Sequence, residues 1–536
     1  MAELIHPSRR VLLKNLGASA GLLVAAPALA KAIAGTNWTT NPFSLGVAAG
    51  APSADGFVLW TKLAPQPMHD DPAAPGGMTG PSVAIAYTIA SDDAMKNVVQ
   101  TGTALAEAQY GYSVHKTIRG LKPGRPYWYS FSSGSAQSRI GRAMTLPAPG
   151  NDALKFAYFS CSHYEYGYFS PYRHAAAENP DFAVFLGDYI YEYHQKDTKK
   201  HTIVRVHSGD GSDLDALSDY RLRYAQYRSD LDLQLLHANV PSLVTWDDHE
   251  VQNDYADKWS EDFIPPDVFL KRRANAYRAF YEYMPVKPVF SQPHGPNMRL
   301  YDRYDFGDLM RVDLIDGRQY RSREACYGDP KKNEGHGGGG HLEMPAACPE
   351  LMEPGRSMIG LVQEKWLFDG LATSKAKWNV IANDVLMARL AQGEQGGYWT
   401  DDWDGYPASR DRLMQHIAAS RPSNPVAITG DIHSFWANEL KTDFADTAAP
   451  AIGTELVGTS VTSYGPPYDL FEAFVPKNPH VKFFDSRRRG YVSVDLTRKA
   501  MTAKFQTVSD ITDPAATLST LKTFVVEDGK PGPVEA

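Results

Sequence analysis

The chain has 536 residues, of which 43% are hydrophobic and 22% are charged. This length fits two or three folded units, and this composition is typical of a globular protein rather than a disordered one. The formal net charge of −8 excludes the broad basic field that attracts nucleic acid non-specifically, so we predict no nucleic-acid-binding surface.

Residues 1–30 are typical of an export signal. Ser8 is followed by the pair Arg9-Arg10, and an apolar stretch then runs from Leu16 to Ala30. The stretch is shorter than the roughly 20 residues that a membrane span needs, although a short membrane anchor is the alternative. The pattern predicts passage through the twin-arginine translocase. The mature protein is then expected in the periplasm or secreted, with no stable membrane span.

Residues 41–147 are predicted to form a small all-β domain. Short alternating runs such as Gly56–Thr61 and Val83–Thr88 are separated by turns rich in Gly, Pro and Asp, which is the pattern of consecutive strands. The segment Leu121–Ser130 resembles the turn and strand near the end of a fibronectin type III sandwich. A sandwich of about 100 residues fits this spacing.

The pattern changes over residues 154–509, where buried-type strands alternate with amphipathic segments. Strand-helix alternation predicts a layered α/β core. The strands are predicted at residues 155–160, 182–186, 240–246, 378–381 and 425–429. The remaining residues, 510–536, are predicted to be a C-terminal tail of weak helical character. Whether this tail covers the site is left open.

The chain has three cysteines. Cys326 and Cys348 flank a glycine-rich loop, and we expect them to form a disulfide in an oxidising compartment. Cys161 is then the odd one, and it lies in one of the polar clusters that follow.

Five polar clusters each end a predicted strand. They are Ser160-Cys161-Ser162-His163, Gly187-Asp188-Tyr189-Ile190-Tyr191-Glu192, Trp246-Asp247-Asp248-His249-Glu250, Ala382-Asn383-Asp384 and Gly430-Asp431-Ile432-His433-Ser434. Such folds place their sites at the carboxyl edge of the strands, so we expect these clusters to converge there.

The order and spacing of the clusters resemble the calcineurin-like metallophosphoesterases. The residues within each cluster resemble those of the PhoD-like alkaline phosphatases. The segments Leu186–Glu192, Thr245–Val251 and Thr429–Ser434 are similar to that family at nearly every residue. The resemblance extends from residue 41 to about residue 494. It implies a layered metallophosphoesterase core, a β-sandwich flanked by helices, preceded by a small immunoglobulin/fibronectin-like domain. It also implies hydrolysis of small phosphate esters at a dinuclear centre of Fe³⁺ and Ca²⁺.

The first predicted metal site contains Cys161, Asp188, Tyr191 and His433. Asp188, a carboxylate at a strand end, is expected to bridge both ions. Tyr191 follows three residues later, a spacing that resembles the iron-binding tyrosine of purple acid phosphatases, and Tyr189 and Tyr193 are the alternatives. Thiolate, phenolate and imidazole ligands favour a transition ion over magnesium, and Fe³⁺ is our choice.

The second predicted metal site contains Asp188, Asp248 and Asp431 with either Asn383 or Asp384. This set offers only oxygen ligands, which suit a hard cation such as Ca²⁺. The sequence does not decide between Asn383 and Asp384.

His249 is predicted to contact phosphate or to protonate the leaving group, and His163 is a second candidate for that role. Arg173 and Arg489 are candidate phosphate ligands because guanidinium binds oxyanions with two hydrogen bonds, although no spacing selects them over other arginines.

The leading predicted activity is phosphomonoester hydrolysis at alkaline pH. Phosphodiester hydrolysis, including a phospholipase D-like activity, is the alternative because the same site can cleave either bond. A non-catalytic calcium-binding surface protein is the third possibility.

Overall fold

The computed structural model describes residues 37–194, 201–328 and 338–536. The predicted export signal lies outside these residues and stays a prediction. None of the helices in the described part of the chain is long and apolar enough to cross a membrane.

The described residues contain 24 β-strands, numbered in chain order. The first eight are Val47–Ser53 (β1), Gly56–Lys62 (β2), Val83–Ala90 (β3), Val98–Ala106 (β4), Ser113–Ile118 (β5), Pro126–Ser133 (β6), Ala136–Gln137 (β7) and Gly141–Met144 (β8). The next nine are Ala153–Phe159 (β9), Phe182–Leu186 (β10), Ser242–Thr245 (β11), Asp302–Phe306 (β12), Met310–Leu314 (β13), Leu342–Glu343 (β14), Trp378–Asn383 (β15), Tyr398–Trp399 (β16) and Pro425–Thr429 (β17). The last seven are Phe435–Lys441 (β18), Ala451–Val457 (β19), Val481–Asp485 (β20), Gly490–Thr497 (β21), Ala500–Val508 (β22), Leu518–Glu527 (β23) and Lys530–Glu535 (β24).

The α-helices of the described residues lie between these strands. They are Ser170–Ala177, Leu217–Arg228, Leu231–Asn239, Pro266–Tyr283, Leu361–Thr373, Pro407–Ser420 and Tyr468–Glu472.

Two large mixed sheets form the centre of the molecule. The first has ten strands in the order β24-β23-β22-β21-β9-β10-β11-β1-β2-β5, and the second has seven in the order β12-β13-β15-β17-β19-β18-β20. The middle strands are parallel in both sheets: β9, β10 and β11 in the first, and β13, β15, β17 and β19 in the second.

The two sheets pack face to face over one apolar core. Tyr158, Val184 and Leu243 from the first sheet and Val380 and Ile428 from the second belong to the same buried cluster. Full burial of such side chains contributes roughly 1.5–3 kcal/mol each. This core therefore fixes the relative position of the strand ends.

Helices cover the outer faces of both sheets. The helix Pro266–Tyr283 buries Phe269 and Phe280 against the ten-stranded sheet. The helices Leu361–Thr373 and Pro407–Ser420 bury residues such as Leu371 and Ile417 against the seven-stranded sheet. The predicted fold class, a β-sandwich flanked by helices, is confirmed.

The N-terminal region is all-β, as predicted. Strands β1, β2 and β5 pack against the five-stranded sheet of β3, β4, β6, β7 and β8, with Phe57, Leu59, Ile85 and Tyr129 in their shared core. The same three strands continue the ten-stranded sheet, since β1 pairs with β11 in parallel. The predicted domain limits 41–147 and 154–509 stay predictions, because one sheet crosses between them.

The helical character predicted for residues 510–536 is wrong. The tail forms the hairpin of β23 and β24 at the edge of the ten-stranded sheet. Phe524 and Val526 alternate into the sandwich core, which is strand periodicity. The turn between the strands contains Asp528-Gly529, and Gly529 has a φ of 73°, so this is the Asp-Gly signal of a hairpin.

The predicted disulfide between Cys326 and Cys348 is confirmed. Cys161 is free and buried.

Candidate metal centre

The ends of β9, β10 and β17 meet at one edge of the sandwich and carry unusual backbone conformations. Cys161, Asp188, Asp431 and His433 have φ values of 60°, 53°, 63° and 53°. A left-handed backbone costs a non-glycine residue about 1–3 kcal/mol and persists where the surroundings enforce it. Four such residues at one edge point to a functional site.

A buried carboxylate holds the turn that presents Asp188. Glu250 accepts hydrogen bonds from the backbone N–H groups of Asp188 at 3.1 Å, Tyr189 at 2.6 Å and Asp247 at 2.9 Å. Gly187 allows the close approach, because a Cβ there would lie 2.3 Å from the Cβ of Asp247. The turns after β10 and β11 are thereby locked together.

The four residues predicted for the first metal site come together. Ligand atoms of Cys161, Asp188 and His433 lie within 4.8 Å of one another. The Tyr191 hydroxyl lies 3.0 Å from Asp188 Oδ2 and 3.1 Å from His433 Nε2. His433 Nδ1 lies 2.9 Å from the carbonyl oxygen of Tyr464, an acceptor only, so Nδ1 carries the proton and Nε2 presents its lone pair to the cluster.

The charged forms of these four side chains are disfavoured by burial. Burial, and then Asp188, raises the pKa values of Cys161 and Tyr191 well above their usual ranges. Burial also raises the pKa of Asp188 and lowers that of His433 to about 3. Asp188 Oδ1 is buried and has no hydrogen-bond partner among the described residues. Sulfur, phenol, carboxylate and imidazole donors around an unpaired carboxylate oxygen fit a transition ion.

Carboxylates form the other half of the centre. The groups close enough to share a cation are Asp188, Asp248 and His249 in one case and Asp248, Asp254 and Asp401 in the other. Asp431, Asp254 and Asp401 line one cavity of about 370 Å³. Asp188 and Asp248 share one of these groups, and Asp431 lines the cavity with Asp254 and Asp401, which the sequence did not predict.

These acids repel one another. Burial, and then Asp401, raises the pKa of Asp431 to about 7 and raises that of Asp254 well above its usual range. A cation among these oxygens would relieve both effects. An all-oxygen set fits a hard divalent ion.

Arg318 orders the acids from behind. Its Nη1 and Nη2 lie 2.6 Å and 2.9 Å from the two carboxylate oxygens of Asp401, and its Nε bonds to Asp247. Its Nη2 also lies 3.8 Å from Asp248 Oδ2. Burial opposes the charge of Asp248, but Arg318 and His249 outweigh it and lower the pKa of that carboxyl.

Asn383 and Asp384 each bond through one side-chain oxygen to a residue outside these groups, and Asp384 Oδ1 is buried with no hydrogen-bond partner among the described residues. Asn383 Oδ1 accepts a hydrogen bond from Trp403 Nε1 at 3.1 Å. Asp384 Oδ2 accepts one from the backbone N–H of Gly317 at 2.8 Å. The structure does not bring Asp384 into either carboxylate group. The choice between these two residues stays a prediction.

His249 is held by a carboxylate that sequence reasoning missed. Its Nδ1 lies 2.8 Å from Glu192 Oε2, and Glu192 Oε1 accepts the backbone N–H of Asn253 at 2.7 Å. Burial lowers the pKa of His249, but Asp248, Asp188 and Glu192 together raise it well above its usual range. The ring is therefore oriented, and Nε2 is the atom left for chemistry.

His163 lies behind Tyr191. It is fully buried, its ring centroid is 4.5 Å from that of Tyr191 and 4.0 Å from that of Tyr166, and its Nδ1 accepts the backbone N–H of Glu165 at 3.3 Å. This position suits support of Tyr191 more than contact with a substrate.

The two candidate arginines are engaged in other contacts. Arg173 pairs with Asp232 at 2.7 Å and donates to the carbonyl oxygen of Pro514 at 2.9 Å, because its helix packs on the outer face of the sheet. The structure does not bring it to the cluster. Arg489 donates to the carbonyl oxygens of His433, at 2.6 Å, and Ser486, so it braces the loop of His433. No contact supports phosphate binding by either residue.

Of the residues that the sequence analysis missed, Glu192 had a recognisable signal and Asp401 had a misleading one. Glu192 lies four residues after Asp188, inside a recognised cluster. Asp401 lies in the acidic run Asp401-Asp402-Trp403-Asp404, which follows none of the central strands and resembles a solvated charge run.

Two mixed sheets between helices gather candidate metal ligands at their strand ends, an arrangement suited to a metal-dependent hydrolase. The chain belongs to the PhoD-like phosphatase family. The family profile matches residues 156–505, and the profile of the PhoD-like phosphatase N-terminal domain matches residues 28–147.

Two relatives support this assignment. The chain is 39% identical over 528 residues to alkaline phosphatase D of Bacillus subtilis (strain 168), covering 97% of this chain and 87% of the relative. A solved structure of PhoD superposes with a TM-score of 0.85 at 38% identity, covering 94% of this chain and 93% of that one. The predicted enzyme class, a phosphoric ester hydrolase, is confirmed.

Proposed function

We propose that this enzyme hydrolyses phosphate monoesters at alkaline pH at a dinuclear centre of Fe³⁺ and Ca²⁺. The observation that carries the proposal is the meeting of Cys161, Asp188, Tyr191 and His433 next to a group of carboxylates. The name of the Bacillus relative, an alkaline phosphatase, supports the monoester and the alkaline pH.

Iron belongs with the mixed donor set. A thiolate, a phenolate and an imidazole favour an iron(III) ion over calcium or magnesium. Asp188 is the proposed bridge, since it belongs to both groups of ligand atoms. When bound, the two ions supply positive charge for the phosphoryl oxygens and activate an oxygen nucleophile.

Calcium belongs with the carboxylates. Asp188, Asp248 and Asp431 are the proposed ligands, and Asp254 and Asp401 extend this oxygen-only set. Asn383 or Asp384 stays the proposed additional ligand. Bonds from Arg318 to Asp401 keep the carboxylates in place while the substrate binds.

His249 is the proposed general acid. Glu192 binds Nδ1 and holds the ring, so Nε2 can deliver a proton to the departing alkoxide. His163 keeps the Tyr191 ring in position from behind. Arg173 has no proposed role in the reaction.

The enzyme is proposed to act outside the cytoplasmic membrane after export by the twin-arginine translocase. The disulfide of Cys326 and Cys348 supports an oxidising compartment. A small phosphate ester is the proposed substrate.

Visible absorption spectroscopy tests the iron assignment. Purified metal-loaded protein is expected to show a tyrosinate-to-iron charge-transfer band that Tyr191→Phe removes, with iron and calcium both found by elemental analysis. The finding of zinc in place of iron would overturn the assignment of the cofactor, but the assignment as a hydrolase would stand.

The substrate is tested separately with an aryl phosphate monoester and the matching diester. Faster turnover of the monoester is expected. Faster turnover of the diester would favour the alternative, a phosphodiesterase or phospholipase D-like hydrolase.

A further inference from the structure

We infer that the organic half of the phosphate ester binds on an apolar wall beside the metal centre; this inference rests on the proposed function. The apolar wall consists of Trp399, Ile432 and Phe471, which line the same cavity of about 370 Å³ as the acids Asp254 and Asp431. An ester with its phosphoryl group at the acids would therefore place its alcohol portion against these three side chains.

Trp399 is an exposed aromatic residue with a fixed position. Its relative exposure is 36%, and with Ile432 and Phe471 it gives the cavity an exposed apolar patch, the kind of surface that marks a ligand-binding groove. Its backbone pairs with Leu342 between β14 and β16. A Cβ at Gly340 would lie 2.9 Å from Trp399 Cζ2, so the ring lies directly against the backbone. The indole is therefore supported on one side by the chain at Gly340.

The other two residues of the wall are also held from behind. Ile432 lies between Asp431 and His433 in the chain, so the wall is directly joined to two proposed ligands. Phe471 packs against Phe474 with ring centroids 5.4 Å apart. Ile432 and Phe471 pack on the same buried cluster.

The lining indicates the chemical class of the alcohol. Among the described residues that line this cavity none is a lysine or an arginine, so a leaving group that carries its own phosphate gains no ion pair from the wall. An aromatic group stacks on indole with a favourable interaction beyond its buried area, and the volume is within the range of small-molecule sites. The wall therefore selects esters of aromatic or comparably apolar alcohols.

Turnover of two esters tests the wall. The values of kcat/KM for 1-naphthyl phosphate and methyl phosphate are measured for the wild type, Trp399→Ala and Phe471→Ala. Trp399→Ala is expected to lower kcat/KM for the naphthyl ester about tenfold, the equivalent of one lost aromatic contact, and to leave that for methyl phosphate within about twofold. Tyr320→Ala is the matched control, since Tyr320 is 37% exposed and lines a different cavity. Equal effects of Trp399→Ala on both esters, or no effect on either, would overturn the inference.

Binding of non-hydrolysable analogues separates the wall from the chemistry. Calorimetric titration of the metal-loaded protein with 1-naphthylmethylphosphonate and methylphosphonate is expected to show tighter binding of the naphthyl compound. That preference should be lost in both wall variants. Equal affinities in the wild type contradict the wall. Preferential binding without turnover of any ester supports the wall and contradicts the proposed function.

Discussion

Two buried charged clusters in this enzyme are built on opposite plans. The interface cluster, where the N-terminal region meets the helix Pro266–Tyr283, surrounds Glu282 with three cations. Lys62, Arg221 and Arg278 approach its carboxylate to 3.3 Å, 2.6 Å and 2.9 Å. The candidate metal centre instead gathers acids, and Asp188 Oδ1 has no hydrogen-bond partner among the described residues.

The pKa values express the difference. Burial opposes the charge of Glu282, but Lys62 and Arg221 outweigh it and lower the pKa to about 2. At the metal centre burial raises the pKa of Asp188 well above its usual range and that of Asp431 to about 7. A buried charge that its own chain neutralises makes folding depend on both partners, because the loss of either leaves the other buried and unpaired. One that the chain leaves unneutralised is suited to binding an ion.

The largest expected effect is on activity. Asp188→Asn should lower kcat for an aryl phosphate by at least about 10³-fold, which corresponds to about 4 kcal/mol, because the carboxylate proposed to bridge the two ions is lost. In chelator-treated protein the same change should raise the midpoint of urea unfolding, since it removes a disfavoured buried charge. If metal-free Asp188→Asn were less stable than the metal-free wild type, the contrast between the metal centre and the Glu282 cluster would be wrong.

Glu282→Gln should act in the opposite sense. It leaves the buried Lys62 and the partly exposed Arg221 and Arg278 without their anion. The free energy of unfolding should therefore fall by about 3–5 kcal/mol. The kcat of the folded fraction should match the wild type, because this residue lies outside the metal centre. Urea unfolding followed by circular dichroism gives the first value and an active-site titration the second. Arg278→Gln is the milder control, since Arg278 is partly exposed.

The pH dependence sharpens the comparison. Asp431 has a raised pKa, so without metal the folded state binds its proton more tightly than the unfolded state does. Its contribution is then present at pH 4 and is lost as the pH rises towards about 7. The stability of metal-free Asp431→Asn relative to wild type should therefore increase from pH 5 to pH 7. The deficit of Glu282→Gln should stay constant over this window, because Glu282 titrates near 2. A flat Asp431→Asn difference would contradict the raised pKa.

The smallest expected effect is at Arg173. Arg173→Gln should change kcat/KM by no more than about twofold, since surface ion pairs such as that with Asp232 contribute little. A large loss of kcat/KM in a variant that folds normally would show that Arg173 acts in the reaction.

The sequence predicts the part of the site that depends on local pattern. A buried strand followed by a polar cluster is visible in one stretch of residues, and this pattern identifies Cys161, Asp188 and Asp431. Asp254 and Asp401 come to the cavity on loops, whose paths depend on contacts distant in sequence. The pairing of Glu192 with His249 joins residues 57 positions apart.

The strength of the local sequence pattern also explains how well the fold and the C-terminal tail were predicted. The layered core follows from strand-helix alternation, which is strong over long segments. The helical prediction for the tail is wrong because the alternation of Phe524 and Val526 and the Asp528-Gly529 turn favour a hairpin. The pairing of β1 with β11 involves a single register pair, Gly50 with Ser242. No local sequence pattern predicts this pairing.

The ten-stranded sheet also dictates when this enzyme can mature during its synthesis. Strand β9, which leads to Cys161, pairs with β10 on one side and with β21 on the other, and the second pairing joins Tyr158 to Val492. The site-bearing strand thus acquires its second neighbour only after Val492 has left the ribosome. Contacts of such long sequence separation form slowly. Completion of the strand that leads to Cys161 therefore depends on residues synthesised long after it.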